Sequence, residues 1–180
     1  MKAEVRTIGW DDSPHTRADG RVPVVGVHMR GNTRVEGILL TDVERDGDDA
    51  TNRLALCLAA SGLRGTRALL LDGASFAGFN VVDLEGLHQE TGVPCLAFTR
   101  GVPDLASMRA ALRNVPNPEG KWALLAKRRV VTLPTETSPI TVSFSGMSQE
   151  EAVELLALTT ARGLVPEPLR LAHMIAAVVR

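Results

Sequence analysis

The chain has 180 residues, a length that fits one domain with a core of its own. Its net charge of −1 excludes a globally basic nucleic-acid binder, so any such site has to be a local patch. The charged N-terminus lacks the apolar core of a signal peptide, no run approaches the ~18 apolar residues of a membrane span, and Cys57 and Cys95 sit in apolar runs as buried thiols, so a reducing cytoplasm is expected.

In chain order, residues 3–10 predict a strand that ends at Asp11-Asp12-Ser13-Pro14. His15–Arg21 reads as a loop. The Val-rich stretch 22–29 predicts a second strand, Gly31-Asn32 a hairpin turn, and 34–43 a returning third strand. An acidic turn, Glu44–Asp49, precedes apolar residues at helical spacing over 50–62, with Asp49 or Thr51 as the cap and Gly62 as the stop. The apolar run 67–71, closed by Asp72-Gly73, reads as a strand buried on both faces.

Asn80 is expected to cap a helix through Glu90, with Asp83 near its positive end. Val93–Thr99 predicts another buried strand, and Pro103 opens a helix through Arg113. Residues 114–120 and 134–139 read as loops around a short strand at WALLA (122–126) or RRVVTL (128–133). Ile140–Phe144 alternates as a strand. Ser148 and Glu151 form a capping box for a helix through Arg162, which Gly163 ends, and Pro166 starts a last helix to the end of the chain. The result is a single α/β domain over 1–180: three antiparallel strands, then β-α-β, in a mixed sheet with helices on both faces. That topology suits the RNase H-like fold.

Asp11 follows the first strand and Asp72 the fourth. With those strands as neighbours, both carboxylates reach one carboxyl-end rim, where open α/β sheets place their sites. Asp46, Asp48 and Asp49 precede the first helix beside the same strands. Converging carboxylates repel, and a divalent cation such as Mg²⁺ or Mn²⁺ removes that cost. Such an ion activates water and stabilises the leaving oxygen at a phosphodiester. The plainer alternative is that Asp46-Gly47 and Asp72-Gly73 simply form turns. Strand alternation sends Asp11 and Asp12 to opposite sides, so at most one of them points into the site.

Motifs in order then carry a resemblance. LVPEPLRLAH (164–173) and GVPCLAFTR (92–100) resemble segments of endonuclease V. GWDDSP (9–14), DGDDAT (46–51), GFNVVD (78–83) and PEPLR (166–170) more closely resemble a mostly archaeal branch of that superfamily, endonuclease dU. The resemblance implies an RNase H-like fold and a metal-dependent enzyme that cleaves DNA containing deaminated bases, deoxyuridine for the nearer branch and deoxyinosine for endonuclease V. It implies Asp11 and Asp72 as metal ligands, with Asp49 as the nearest equivalent of the third acid and Asp46 and Asp48 behind it. Arg100 takes the place of a strand-end lysine, and His173 matches a position near the metals.

There are two departures from endonuclease V. The chain has no Tyr, so the strand-separating wedge is missing, and Ala77–Asn80 replaces a His-Pro-Arg element. Phe76 and Phe79 either line a base pocket or anchor their loop to the core. Lys127-Arg128-Arg129, Arg30 with Arg34, and Arg64 with Arg67 are candidates to track phosphates. An RNA-directed nuclease of the same fold and a non-catalytic nucleic-acid- or protein-binding module remain alternatives, as do a monomer and a homodimer.

Overall fold

In the computed structural model, which describes residues 4–134 and 138–179, one seven-stranded mixed sheet runs β3-β2-β1-β4-β7-β9-β8. Strands β1 (Arg6–Asp12), β2 (Arg21–Arg30) and β3 (Arg34–Glu44) form the expected antiparallel meander. Helix α1 (Ala50–Ser61) leads to β4 (Ala68–Asp72), which lies parallel to β1. A small hairpin of β5 (Ser75–Phe76) and β6 (Asn80–Val81) precedes α2 (Leu84–Thr91) and β7 (Cys95–Arg100), parallel to β4. Helices α3 (Leu105–Leu112) and α4 (Pro118–Ala126) then lead to the antiparallel strands β8 (Val130–Leu133) and β9 (Ile140–Ser145), and α5 (Gln149–Thr159) and α6 (Glu167–Ala176) follow.

Strand alternation divides the core between the two faces. Ile8, Trp10, Leu69 and Leu71 pack with Leu54 of α1 and Leu87 of α2. Leu70, Leu96 and Phe98 face the other way, onto Leu155 of α5 and Leu169 of α6. No helix among the described residues is long and apolar enough to cross a membrane.

Asn80 does not cap its own helix. It lies in β6, its Oδ1 accepts from the Ala50 amide at 2.9 Å, and its Nδ2 donates to the Glu44 carbonyl at 2.8 Å. It thus caps α1 from a distant part of the chain, while α2 starts only after Asp83. Removing this fully buried amide strands an amide and a carbonyl, so Asn80→Ala is expected to cost about 1–3 kcal/mol, measured as a lower urea midpoint.

The segment WALLA is helical, and the strand lies at Val130–Leu133. The signal sits upstream: Asn117 takes a left-handed conformation, its side chain accepts from the Gly120 amide, and Pro118 fills the first turn. Helix α5 stops at Thr159, short of the expected Arg162. The loop expected over 134–139 falls partly on 135–137, and the expected first strand and last helix include Ala3 and Arg180, all outside the described residues.

Candidate metal centre

The register of β1 on β4 pairs Gly9 with Leu70 and Trp10 with Leu71. Continued by one residue, it sets Asp11 beside Asp72 at the carboxyl ends of two parallel strands. Both face the side covered by α6, because Asp11 alternates with Trp10, and Asp72 with Leu71.

A third side chain arrives from the far end of the chain. A Cβ on Gly9 would lie 2.3 Å from the Pro168 carbonyl carbon, so α6 rests directly on the β1 backbone. Ala172 and Ala176 pack on Val25, Val27 and Met29 of β2 and fix the helix rotation. His173 then meets Asp11, with Nδ1 2.7 Å from Oδ2. One ligand atom each of Asp11, Asp72 and His173 lies within 4.8 Å of the others.

The electrostatics are those of crowded acids. Burial, then the Asp72 charge, pushes the Asp11 carboxyl up to about 6, against the opposing pull of the His173 hydrogen bond. Burial also raises Asp72, while the Arg100 charge and then His173 draw it back. Arg100 ends β7 two residues beyond Phe98, the pairing partner of Asp72, so it shares that face. Two carboxylates and an imidazole, held close at a cost in charge repulsion, match the donor set of a divalent cation.

Asp12 takes the other side of β1. Its Oδ2 accepts from the Ala77 amide at 2.8 Å and lies 3.5 Å from His15 Nδ1. It therefore pins the loop between β5 and β6, and its charge still raises Asp11 and Asp72.

The structure does not bring Asp49 to this group. Its carboxylate accepts from the Glu44 amide at 3.0 Å and Asn80 at 2.6 Å, and pairs with Arg21 at 3.1 Å. The other two acids of the turn are engaged as well. Asp46 accepts from the Phe79 amide at 2.9 Å and pairs with Arg45. Asp48 pairs with the fully buried Lys121, whose Nζ also donates to the Gly47 carbonyl at 2.8 Å. These acids build the β3–α1 turn and tie it to the 77–80 loop and α4.

Phe76 belongs to the core around Trp10, and Phe79 packs with Leu112 and Leu125, so both anchor their loop. Two of the candidate phosphate contacts are spoken for: Lys127 pairs with Asp83 and Glu85, and Arg30 with Glu36.

Comparison with known proteins bears on this arrangement. The sequence profile of the endonuclease dU family matches residues 3–180. A UPF0215 protein of Thermococcus gammatolerans is 39% identical over 184 residues, covering 99% of this chain and 94% of that protein. The crystal structure of a protein of unknown function from Archaeoglobus fulgidus superposes with a TM-score of 0.84 at 30% identity, over 96% of each chain. Endonuclease V of Ciona intestinalis was solved in complex with a 24mer DNA containing an inosine followed by a ribo-adenosine; it gives a TM-score of 0.58 at 17% identity, covering 93% of this chain and 82% of that one. At that identity the likeness is one of fold, and it agrees with the expected RNase H-like topology. Matched by the family profile over nearly its whole length, the chain belongs to the endonuclease dU family, a family of nucleases.

Proposed function

We propose that this protein is a divalent-metal-dependent endonuclease that cuts DNA beside a deaminated base, with deoxyuridine as the favoured lesion, and that it serves DNA repair in the cytoplasm. The observation that carries the reading is the convergence of Asp11, Asp72 and His173 within 4.8 Å. The family to which the chain belongs and the inosine-containing DNA bound by the Ciona enzyme support the substrate.

Asp11 and Asp72 would hold Mg²⁺ or Mn²⁺, with the His173 ring beside them. The ion would supply an activated water and charge stabilisation at the leaving oxygen. The protein's own groups do the positioning. Asp11 Oδ1 accepts from the Asp12 amide at 2.9 Å, which fixes the carboxylate plane. His173, with a 65% exposed side chain, holds Oδ2 and leaves the approach from solvent open. Arg100 offers a forked donor for a phosphate oxygen on the far side of Asp72. Asp49 acts in this reading as an anchor of the β3–α1 turn.

The test uses end-labelled duplexes and single strands that carry one deoxyuridine, one deoxyinosine or no lesion, and an RNA counterpart, each with Mg²⁺, Mn²⁺ or EDTA. A nick at deoxyuridine that requires metal is expected. Intact uracil- and hypoxanthine-containing strands would overturn the reading. Cleavage of the RNA alone would keep the nuclease and move its substrate.

A further inference from the structure

The seven-stranded sheet ends in β8 on one side and β3 on the other. Strand β8 spans only four residues, whereas β3 spans 11. Which groups of β3 look outward follows from Pro23. The Pro23 carbonyl accepts from the Ser13 amide at 2.9 Å, so the main chain of Pro23 faces β1. Its opposite residue on β3, Asp42, therefore lies in a pair that exchanges no hydrogen bonds, and its main chain faces away from β2. Alternation extends this to Leu40 and Ile38.

Proteins protect such an edge with charges, prolines or bulges. Strand β3 is protected at both ends and not in the middle. A bulge sits at Glu36, opposite His28 and Met29, and the Glu36 carboxylate is held by Arg6 at 2.7 Å and Arg30 at 2.9 Å. The Asp42 carbonyl is taken by Arg53 at 2.9 Å and Arg21 at 3.1 Å. Between them, residues 37–41 carry no charge. Ile38 and Leu40 are 60% and 61% exposed, on the α6 face where their partners Val27 and Val25 lie. The side-chain hydrogen bond found on this stretch among the described residues is a weak one, from Cys57 Sγ to the Leu40 carbonyl at 3.7 Å. The same five residues line a groove of about 480 Å³ against α1, together with the exposed Leu56.

We propose that residues 37–41 pair antiparallel with the same stretch of a second copy of this chain, about a two-fold axis through Leu39, so that the two sheets join into one. The proposal is independent of the nuclease reading. Outward residues exchange hydrogen bonds only with outward residues, which leaves few registers. The axis at Leu39 sets Ile38 opposite Leu40 of the second copy, and Leu40 opposite its Ile38, apolar against apolar in both pairs. An axis at Ile38 sets Leu40 against Glu36, and one at Leu40 sets Ile38 against Asp42; each puts a carboxylate on an apolar side chain.

The Leu39 axis also lays the Arg34 end of one strand along the Glu44 end of the other. Both side chains are exposed, and neither has an ion-pair partner among the described residues. Glu36 and Asp42 meet as like charges, but each already has two arginines of its own. A segment of another protein matches the apolar stretch alone; a second copy also matches the charges at both ends, as a two-fold interface requires.

The test is sedimentation velocity of the full chain over ~1–100 µM, where wild type is expected to pass from monomer to dimer. Ile38→Lys with Leu40→Lys sets like charges opposite each other on both sides of the axis, and is expected to weaken the dimer by at least ~100-fold. Both positions are exposed in the single chain, so the melt of this variant at low concentration is expected to match wild type. The register is read separately by oxidation of Ile38→Cys and Leu40→Cys, each carried with Cys57→Ser. Directly opposed residues of a hydrogen-bonded pair lie ~5.5 Å apart at Cα, within reach of a disulfide. The mixture of the two variants is expected to cross-link, and neither alone.

A chain that stays monomeric throughout, or a dimer that the paired lysines leave intact, would overturn the interface. Cross-links within either cysteine variant alone, and none in the mixture, would overturn the axis at Leu39.

Discussion

Replacing Asp11 by Asn is expected to abolish strand cleavage and, in the same protein, to raise resistance to unfolding. Charge stabilisation by a catalytic ion is worth several kcal/mol, and at ~1.4 kcal/mol per tenfold the loss of a ligand is expected to cost roughly 10³-fold in rate. Stability moves the other way because the Asp11 carboxyl is raised from 3.8 to about 6 by burial and by Asp72.

The sign follows from proton binding. Between those two values the folded chain holds the proton that the unfolded chain has released, so stability falls as pH rises through this window. Asn removes the charge and keeps an acceptor for the Asp12 amide. The gain is on the order of 2 kcal/mol above pH 6 and is absent below pH 4. Thermal melts of both proteins across that range, beside single-turnover cleavage at pH 8, check the two halves. The Mg²⁺ concentration for half-maximal rate is expected to rise as pH falls through about 6, because the proton competes for the ligand.

Gly9→Ala is expected to cost about 3 kcal/mol and to weaken metal binding without touching a ligand. The added Cβ would meet the Pro168 carbonyl carbon at 2.3 Å, its oxygen at 2.5 Å and the Leu169 amide at 2.6 Å. All three are backbone atoms, so no side chain can swing aside. Helix α6 has to lift, and His173 lifts with it, away from Asp11. Gly20→Ala, where nothing lies within 4 Å, is the control and is expected to be neutral. Urea midpoints and Mn²⁺ titration of both variants read the two effects.

The parts of the candidate site that sequence made legible are those set by strand geometry. Asp11 and Asp72 each end an apolar strand, and period-two alternation with parallel pairing puts both on one rim. The surroundings of the acids in the β3–α1 turn were not legible, because their partners come from elsewhere in the chain. Asp49 reads as a candidate until Arg21 and Asn80 are seen to claim it; Asp48 likewise goes to Lys121, far along the chain. Alternation predicts that Asp11 and Asp12 point to opposite sides, and Asp12 accordingly meets Ala77 and His15 on the other face. WALLA stood beside RRVVTL as an alternative for the strand because apolar composition hides periodicity over five residues; the strand lies in the second, and the informative signal for the helix was the Asn117-Pro118 start. Arg128 was visible only as part of a basic cluster, since the burial of its Nε and Nη1 without a hydrogen-bond partner among the described residues is a property of the fold.

The pairing of Asp11 with His173 spans 162 residues. During synthesis, β1 leaves the ribosome long before the helix that completes its site. The meander of β1, β2 and β3 has local partners and can form early, but the acids stay uncompensated until residue 173 is in place. A contact of such long sequence separation is slow to close. The nascent chain is therefore expected to lack the assembled Asp11, Asp72 and His173 group until α6 docks.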